Sequence, residues 1–501
     1  MSSQMPLTRR TCLLSATTAL IAGMVLHPLA AGAQDVTTIT AALASEPQSL
    51  DPIYDTDLPA LNVFYNVYDQ LTAIDFEGKV SPALAEEWFA SEDLKTWTFK
   101  LRSGASFHDG SPVTAADVVF TYETAMNDPA SRLGGYLGQI ETVKAVSDHE
   151  VEFRLKSSFA PFDRQVTLVP IVCKAAYEKM GAAEFARKPI GSGAYSVEDW
   201  AAGGAITLKR FDDYWGGKGT YETVKFLPVP DETTRANAIQ SGDLDIALLG
   251  PSAVPAVRAS GAVDVIDQNS NRIIYVGFNS NAQWLGDVRI RKAVDFAIDR
   301  VAIGERLLNG AVTPSSQLVA PVSFGYDTSI PATSHDLDKA KELVEASGYD
   351  GAPLTLSYPT AIVPQSSQIA QAIAYFLEEA GLNVELDGRE YSTMINDWFS
   401  SSLPGMYIMA FAPTMLDADL PFDMLLRTGG QGYTFDPEID ALLDAQLAEP
   451  DQEKRAEIFS RITAKVNETT SYAPLFSDTY TYGVTKGLNW RSRPDGLIVL
   501  K

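Results

Sequence analysis

The sequence predicts an α/β protein built as two lobes, and three observations carry that expectation. Residues 338–386 alternate helix and strand periods: 338–347 helical up to Gly348, 354–358 a strand, 365–380 a helix stopped by Gly381, and 383–386 a strand again. Residues 194–200, 205–210 and 224–230 are short strand-like runs broken by Gly203-Gly204 and Gly216-Gly217. Between these two regions the apolar runs 263–266 and 273–278 flank a polar stretch, 267–272, that reads as a chain crossing from one lobe into the other. The strand–helix rhythm predicts a mostly parallel sheet covered by helices, in which ligands lie at the carboxyl ends of the strands.

At 501 residues and 46% hydrophobic composition the chain is long enough for about three domain-sized units. It opens on Thr8-Arg9-Arg10-Thr11, an apolar run over residues 12–26, and the small residues Ala31-Gly32-Ala33. That is the pattern of a cleavable export signal, residues 1–33, with a mature chain from about Gln34. The paired arginines suit twin-arginine export and a Sec signal alike. Cys12 precedes the apolar run, whereas a lipid-anchored cysteine would follow it, so a soluble periplasmic protein is expected. Cleavage leaves Cys173 alone, so no intramolecular disulfide is available and the fold rests on its core. The net charge of −25 becomes −27 without Arg9 and Arg10 (37 basic against 64 acidic residues), which disfavours nucleic-acid binding through phosphate neutralisation. No later apolar segment is long enough to span a membrane.

Residues 36–52 begin as an alternating strand and end in a proline-bounded loop, and residues 58–71 carry apolar side chains at helical spacing. Trp97, Phe99 and Leu101 alternate with Thr98, Lys100 and Arg102, the period of a strand with one buried face. Ser103-Gly104 ends that strand, Asp109-Gly110 supplies a tight turn, and Thr114 precedes Asp117 by three residues as a capping box before Val118, Val119 and Phe120. Strands and turns continue to about Pro161. Residues 233–240 read as a helix, 243–249 as the strand after it, and 289–308 as one long amphipathic helix. Residues 452–467 form a further helix, and residues 472–484 recross to the first lobe.

Several of these blocks together resemble a known family. They are SPALAEEWFASEDLKTWTFKLRSGASFHDGSPVTAADVVFTYE at residues 81–123, PIGSGAYSVEDW at 189–200, LKRFDDYWGG at 208–217, QSGDLDIALL at 240–249, and GFNSN at 277–281 followed by DVRIRKAVDFAIDRVAI at 287–303. In order and spacing they resemble the extracytoplasmic solute-binding proteins of peptide, nickel and opine ABC importers, the dipeptide- and oligopeptide-binding family. The resemblance implies a two-lobed periplasmic binding protein fold (type II) with mixed sheets, an extra subdomain in lobe 1 and a two-segment hinge. The implied division is lobe 1 at 34–268 and 480–501, with the extra subdomain at about 55–185, and lobe 2 at 269–479. The implied function is capture of a peptide or peptide-like solute and its delivery to ABC permease membrane subunits, by a monomer that uses no cofactor and binds no nucleic acid. An opine, a sugar-containing or other non-peptide solute, and presentation of a ligand to a chemosensory partner stand as alternatives.

Two lobes joined by extended crossings form a hinge, and closure strips water from the enclosed solute. Each polar group of that solute then needs a protein partner, or costs on the order of a few kcal/mol. In peptide-binding relatives a Trp-x-x-Asp element of lobe 2 receives the α-ammonium, and the matching positions here are Phe411 and Thr414. A hydroxyl cannot balance a buried ammonium. Either Asp417 or Asp419 serves from a shifted loop, or the solute has no free amino terminus there. Glu46, Tyr65 and Tyr136 fall in regions that border the cleft in relatives, and Gln365 begins a lobe 2 helix whose free N–H groups favour an anion. Each also has an ordinary structural reading: Glu46 as the start of the Pro47 loop, Tyr65 as core, Tyr136 as a loop tyrosine, Gln365 as a polar helix start.

An enzyme reading finds few residues to use. His27 leaves with the signal, and His108, His149 and His335 remain without an HExxH, GxSxG or phosphate-loop pattern around them. His108 falls in the turn before the capping box, and Cys173 beside Lys174 lacks an identifiable histidine partner. The same shortage of histidine argues against nickel or haem delivery.

Overall fold

The computed structural model describes residues 37–360, 363, 365–433 and 435–501. The expected signal, with Arg9, Arg10 and Cys12, lies outside the described residues. An eleven-stranded sheet runs through both lobes, centred on two long antiparallel strands, Asp264–Phe278 and Tyr472–Val484. On one side of this pair stand Met406–Phe411, Leu354–Pro359 and Val384–Arg389; on the other stand Ile246–Leu248, Thr38–Leu43, Thr223–Pro228, Ile206–Arg210 and Tyr195–Trp200; the eleventh strand, Val312–Pro314, pairs with Tyr472–Val484 off this path. Parallel pairing is confined to Leu354–Pro359 and Thr38–Leu43 with their respective neighbours. The sheet is therefore mixed rather than mostly parallel, because the chain leaves the first lobe along one long strand and returns along the other.

The hydrophobic cores divide at that central pair. Ile266, Tyr480, Tyr482 and Val484 pack with Phe64 and Val224 on one side. Ile274, Val276 and Phe476 pack with Ile290, Ile369 and Leu377 on the other, and Ile273 and Tyr275 join Phe422 and Phe459 on the opposite sheet face. Between the cores the pairing of the two long strands slips, from Asn269 opposite Thr479 to Ile273 opposite Ser477. Such a bulge frees backbone and side chains from the ladder. Here the freed Ser270 Oγ and the Arg272 guanidinium both bond Asp478, with Arg272 Nε 2.7 Å from the carboxylate.

The first lobe carries a separate four-stranded antiparallel sheet, Ala85–Ala90, Thr96–Leu101, Glu150–Leu155 and Ile140–Ser147 in spatial order. Phe99 is buried from its inner face, with its ring edge-on to Phe153 at 5.6 Å. The helix Ala115–Asn127 that covers this face starts at the capping box, where the Thr114 N–H donates to Asp117 at 2.9 Å. The two glycines of PIGSG let the chain pass against the end of the helix Leu58–Val67: a Cβ on Gly191 would lie 2.0 Å from the Val67 carbonyl oxygen, and one on Gly193 2.6 Å from that of Asn66. His108 locks the crossing, its Nε2 donating to Gly193 O at 3.0 Å and its Nδ1 accepting from Gly191 N at 3.3 Å. Asp69 gathers the next block, accepting from Tyr214 Oη and Trp215 Nε1 at 2.9 Å each.

One expected element is two. Residues 289–308 break into Val288–Ala297 and Arg300–Leu307, because Asp299 caps the second helix through Ala302 N at 2.9 Å and Ile298 turns to extended backbone. The buried Arg300 beside the break donates to Pro474 O at 2.8 Å, tying the joint to the returning strand.

Candidate functional site

A cavity of about 600 Å³ lies between the lobes. Its first-lobe wall is the start of the helix Leu58–Val67, through Asp57, Leu58, Leu61 and Tyr65, with Tyr136 beside it. The opposite wall is the helix Tyr391–Phe399, which presents Tyr391, Ile395, Trp398 and Phe399 at the i, i+4, i+7, i+8 spacing of one helical face. The end of the strand Met406–Phe411 and the following Ala412, Pro413 and Thr414 continue that wall. Asn271 and Tyr480, from the two crossing strands, complete the lining, so both lobes and both crossings border one space.

Asn271 occupies the bulge and holds three segments together. Its Nδ2 donates to Pro413 O at 2.9 Å, its backbone N–H donates to Pro494 O at 3.0 Å, and its Oδ1 accepts from Tyr480 Oη at 3.4 Å. Tyr65 donates its hydroxyl to Thr167 O at 2.9 Å, and burial, then the nearby Asp495 charge, pushes its phenol well up. Phe411 and Thr414 are half-buried, and the Thr414 hydroxyl makes no hydrogen bond among the described residues. The cavity thus offers aromatic and apolar surface together with carboxyl, amide and hydroxyl groups.

Tyr65, Tyr136, Phe411 and Thr414 all line this space. The other four sequence candidates stand elsewhere. Glu46 accepts from Trp200 Nε1 at 3.1 Å and Gly203 N at 3.0 Å, which fixes a turn of the first lobe. Gln365 is the N-cap of the helix Ser366–Glu379, in the left-handed region at φ 54°, and is not part of the lining. Asp417 is fully buried and grips Arg455 with two bonds of 2.8 Å. The backbone around it is pinned by Phe324, whose N–H donates to Leu416 O and whose carbonyl accepts from Ala418 N, each at 2.9 Å; this turns Asp417 toward the helix Gln452–Thr469 and away from the cavity. Asp419 is buried beside it and accepts from Gln446, and burial, then the Asp417 charge, pushes its carboxyl up to about 7.

A contact between the lobes behind the cavity escaped the sequence reading. Arg164, from the first lobe, donates through Nη1 to Gly78 O and to Met415 O across the gap, at 2.9 Å each, and its Nε lies 3.5 Å from Asp417. Ala160 N donates to Leu447 O at 2.8 Å nearby. A lone arginine in a short helix carries no periodic or motif signal, so nothing local marks it. Cys173 is buried with its Sγ 3.8 Å from Ser111 Oγ, and burial raises its thiol, the opposite of an activated nucleophile. Among the described residues no group of His, Cys, Asp or Glu is placed to hold a metal, and no helix is long and apolar enough to cross a membrane.

Comparison with known proteins agrees with this architecture. Residues 79–433 match the family model described as bacterial extracellular solute-binding proteins, family 5 Middle. The chain is 28% identical over 487 residues to the periplasmic oligopeptide-binding protein OppA of Salmonella typhimurium, covering 88% of this chain and 87% of that protein. Among solved structures, the ABC transporter substrate-binding protein CtaP of Listeria monocytogenes superposes with a TM-score of 0.84 at 24% identity, covering 93% of this chain and 98% of that one. AgaA of A. tumefaciens R10, solved with agropinic acid, gives 0.73 at 27% identity and covers 90% and 94%. The chain with its cavity between two lobes belongs to family 5 of the bacterial extracellular solute-binding proteins.

Proposed function

We propose that the protein is the periplasmic solute-capturing component of an ABC importer, binding a peptide or peptide-like solute in this cavity and delivering it unaltered to membrane permease subunits. The observation that carries the reading is that one cavity is walled by both lobes and floored by the two strands joining them. Rotation about the bulge at Ser270–Arg272 would open and close those walls together. The lobes divide, on this reading, near 268/269 and 479/480, where the cores change sides, with lobe 1 comprising 34–268 and 480–501. Tyr65, Tyr136, Phe411 and Thr414 contact the solute. The oligopeptide-binding name of one relative supports a peptide, and the agropinic acid bound by another keeps an opine-like solute as the second reading. The protein acts as a monomer without cofactor or catalytic step, in the periplasm. Mass spectrometry of solute retained through purification, paired with X-ray scattering with and without it, tests this: a bound small molecule and a more compact shape are expected. Turnover of the solute, or profiles that do not change, would overturn the reading.

A further inference from the structure

Among the described residues, those lining the cavity include no lysine, arginine or histidine. Two carboxylates line it, and they differ. Asp495 is buried and engaged by Arg493, whose Nη2 lies 2.6 Å and Nε 3.0 Å from it. Asp57 is exposed at the N-cap of the helix Leu58–Val67, caps no backbone N–H with its side chain, and forms no ion pair among the described residues. One tyrosine from each lobe lies within its electrostatic reach: burial first, then the Asp57 charge, raises the phenols of Tyr136 and Tyr391.

A solute carboxylate enclosed here would meet no cationic side chain, and an unpaired charge out of water is costly. A solute cation would meet one free carboxylate and several aromatic faces, which attract cations in their own right. The helix N-terminus beneath Asp57 favours anions, but it presents only about half a charge against the full charge of the carboxylate. We infer that the cavity selects a cationic, otherwise apolar solute with no free carboxylate, such as a peptide amide or a hydrophobic amine, its ammonium held by Asp57 between Tyr136 of one lobe and Tyr391 of the other. This rests on the cavity being the solute site. Because Asp57 and Tyr391 belong to opposite lobes, the same cation that binds also draws the lobes together.

Calorimetric titration with three probes sharing one body tests the assignment: leucyl-phenylalanine amide as the cation, leucyl-phenylalanine as the zwitterion, and N-acetyl-leucyl-phenylalanine amide as the neutral form. The amide is expected to bind about tenfold or more tighter than the zwitterion, and Asp57→Asn is expected to bring it down to the level of the neutral probe. The exposed Asp57 side chain makes no hydrogen bond or ion pair among the described residues, so the solute-free variant should melt close to the parent protein. Zwitterion binding as tight as the amide, amide affinity indifferent to Asp57→Asn, or no amide binding overturns the cation assignment. Solute capture itself is judged separately: a retained acidic compound in the purified protein would sink the selectivity and leave capture standing.

Discussion

Phe411 stands where the strand Met406–Phe411 runs out of the sheet into the cavity wall, half-buried and lining the cavity. Aromatic faces supply large apolar contact at little entropic cost, so Phe411→Ala should weaken solute binding by about tenfold or more, on the order of 1.4 kcal/mol, with little change in melting of the empty protein. Titration checks it, and an unchanged affinity would remove Phe411 from the site. Three residues on, Thr414 lines the same space, and its hydroxyl makes no hydrogen bond among the described residues. Thr414→Asp would add a second carboxylate to the cavity and should improve affinity for cationic solutes further; an unchanged affinity would mean that Thr414 lies out of reach of an ammonium held at Asp57. Asp419 yields a pH prediction instead. Burial, then the Asp417 charge, pushes its carboxyl up to about 7 in the folded protein, above the ordinary value near 4 of an unfolded chain. The native state thus holds a proton that the unfolded state has released, and this residue lowers stability as pH rises from about 4 through 7. Asp419→Asn should raise the melting temperature by roughly a few degrees at pH 8 and leave it unmoved at pH 4.

At the scale of elements, much was legible because the signals are local. The capping box at Thr114 and Asp117 starts its helix where the spacing placed it, since the bond joins residues three apart. The glycines of PIGSG are readable as a motif, but their reason is not local: the helix end at Asn66 and Val67 leaves no room for a Cβ. Gly193→Ala should cost about 1–3 kcal/mol through that overlap, measured by denaturant unfolding. The split at Ile298 was missed because apolar spacing continues through it; the Asp299 cap and the Arg300 contact with the returning strand decide the break. Helix Tyr391–Phe399, which forms the second-lobe wall, is short and packs only one face, so its pattern does not announce its partner.

For the whole molecule, the contact of Arg164 with Met415 and Asp417 makes a second lobe-to-lobe junction apart from the crossing strands. Arg164→Ala should weaken this junction, giving a larger solute-free radius of gyration by scattering and a several-fold weaker affinity, while the Arg455–Asp417 pair keeps the second lobe folded. An identical profile would assign Arg164 a role within the first lobe alone, through Gly78.

Periodicity, caps and turn residues in the chain were enough to establish strands, helices and a passage between two lobes, because each is set by bonds and burial within a few residues. The destination of single side chains was decided by tertiary structure. Asp417 and Asp419 look like ligand carboxylates in the sequence and are internal partners of Arg455 and Gln446 in the fold, whereas Asp57, which carries no motif signal, lines the cavity without an ion-pair partner among the described residues. The physical reason is that a charge is available to a solute only if no residue distant in sequence has already neutralised it.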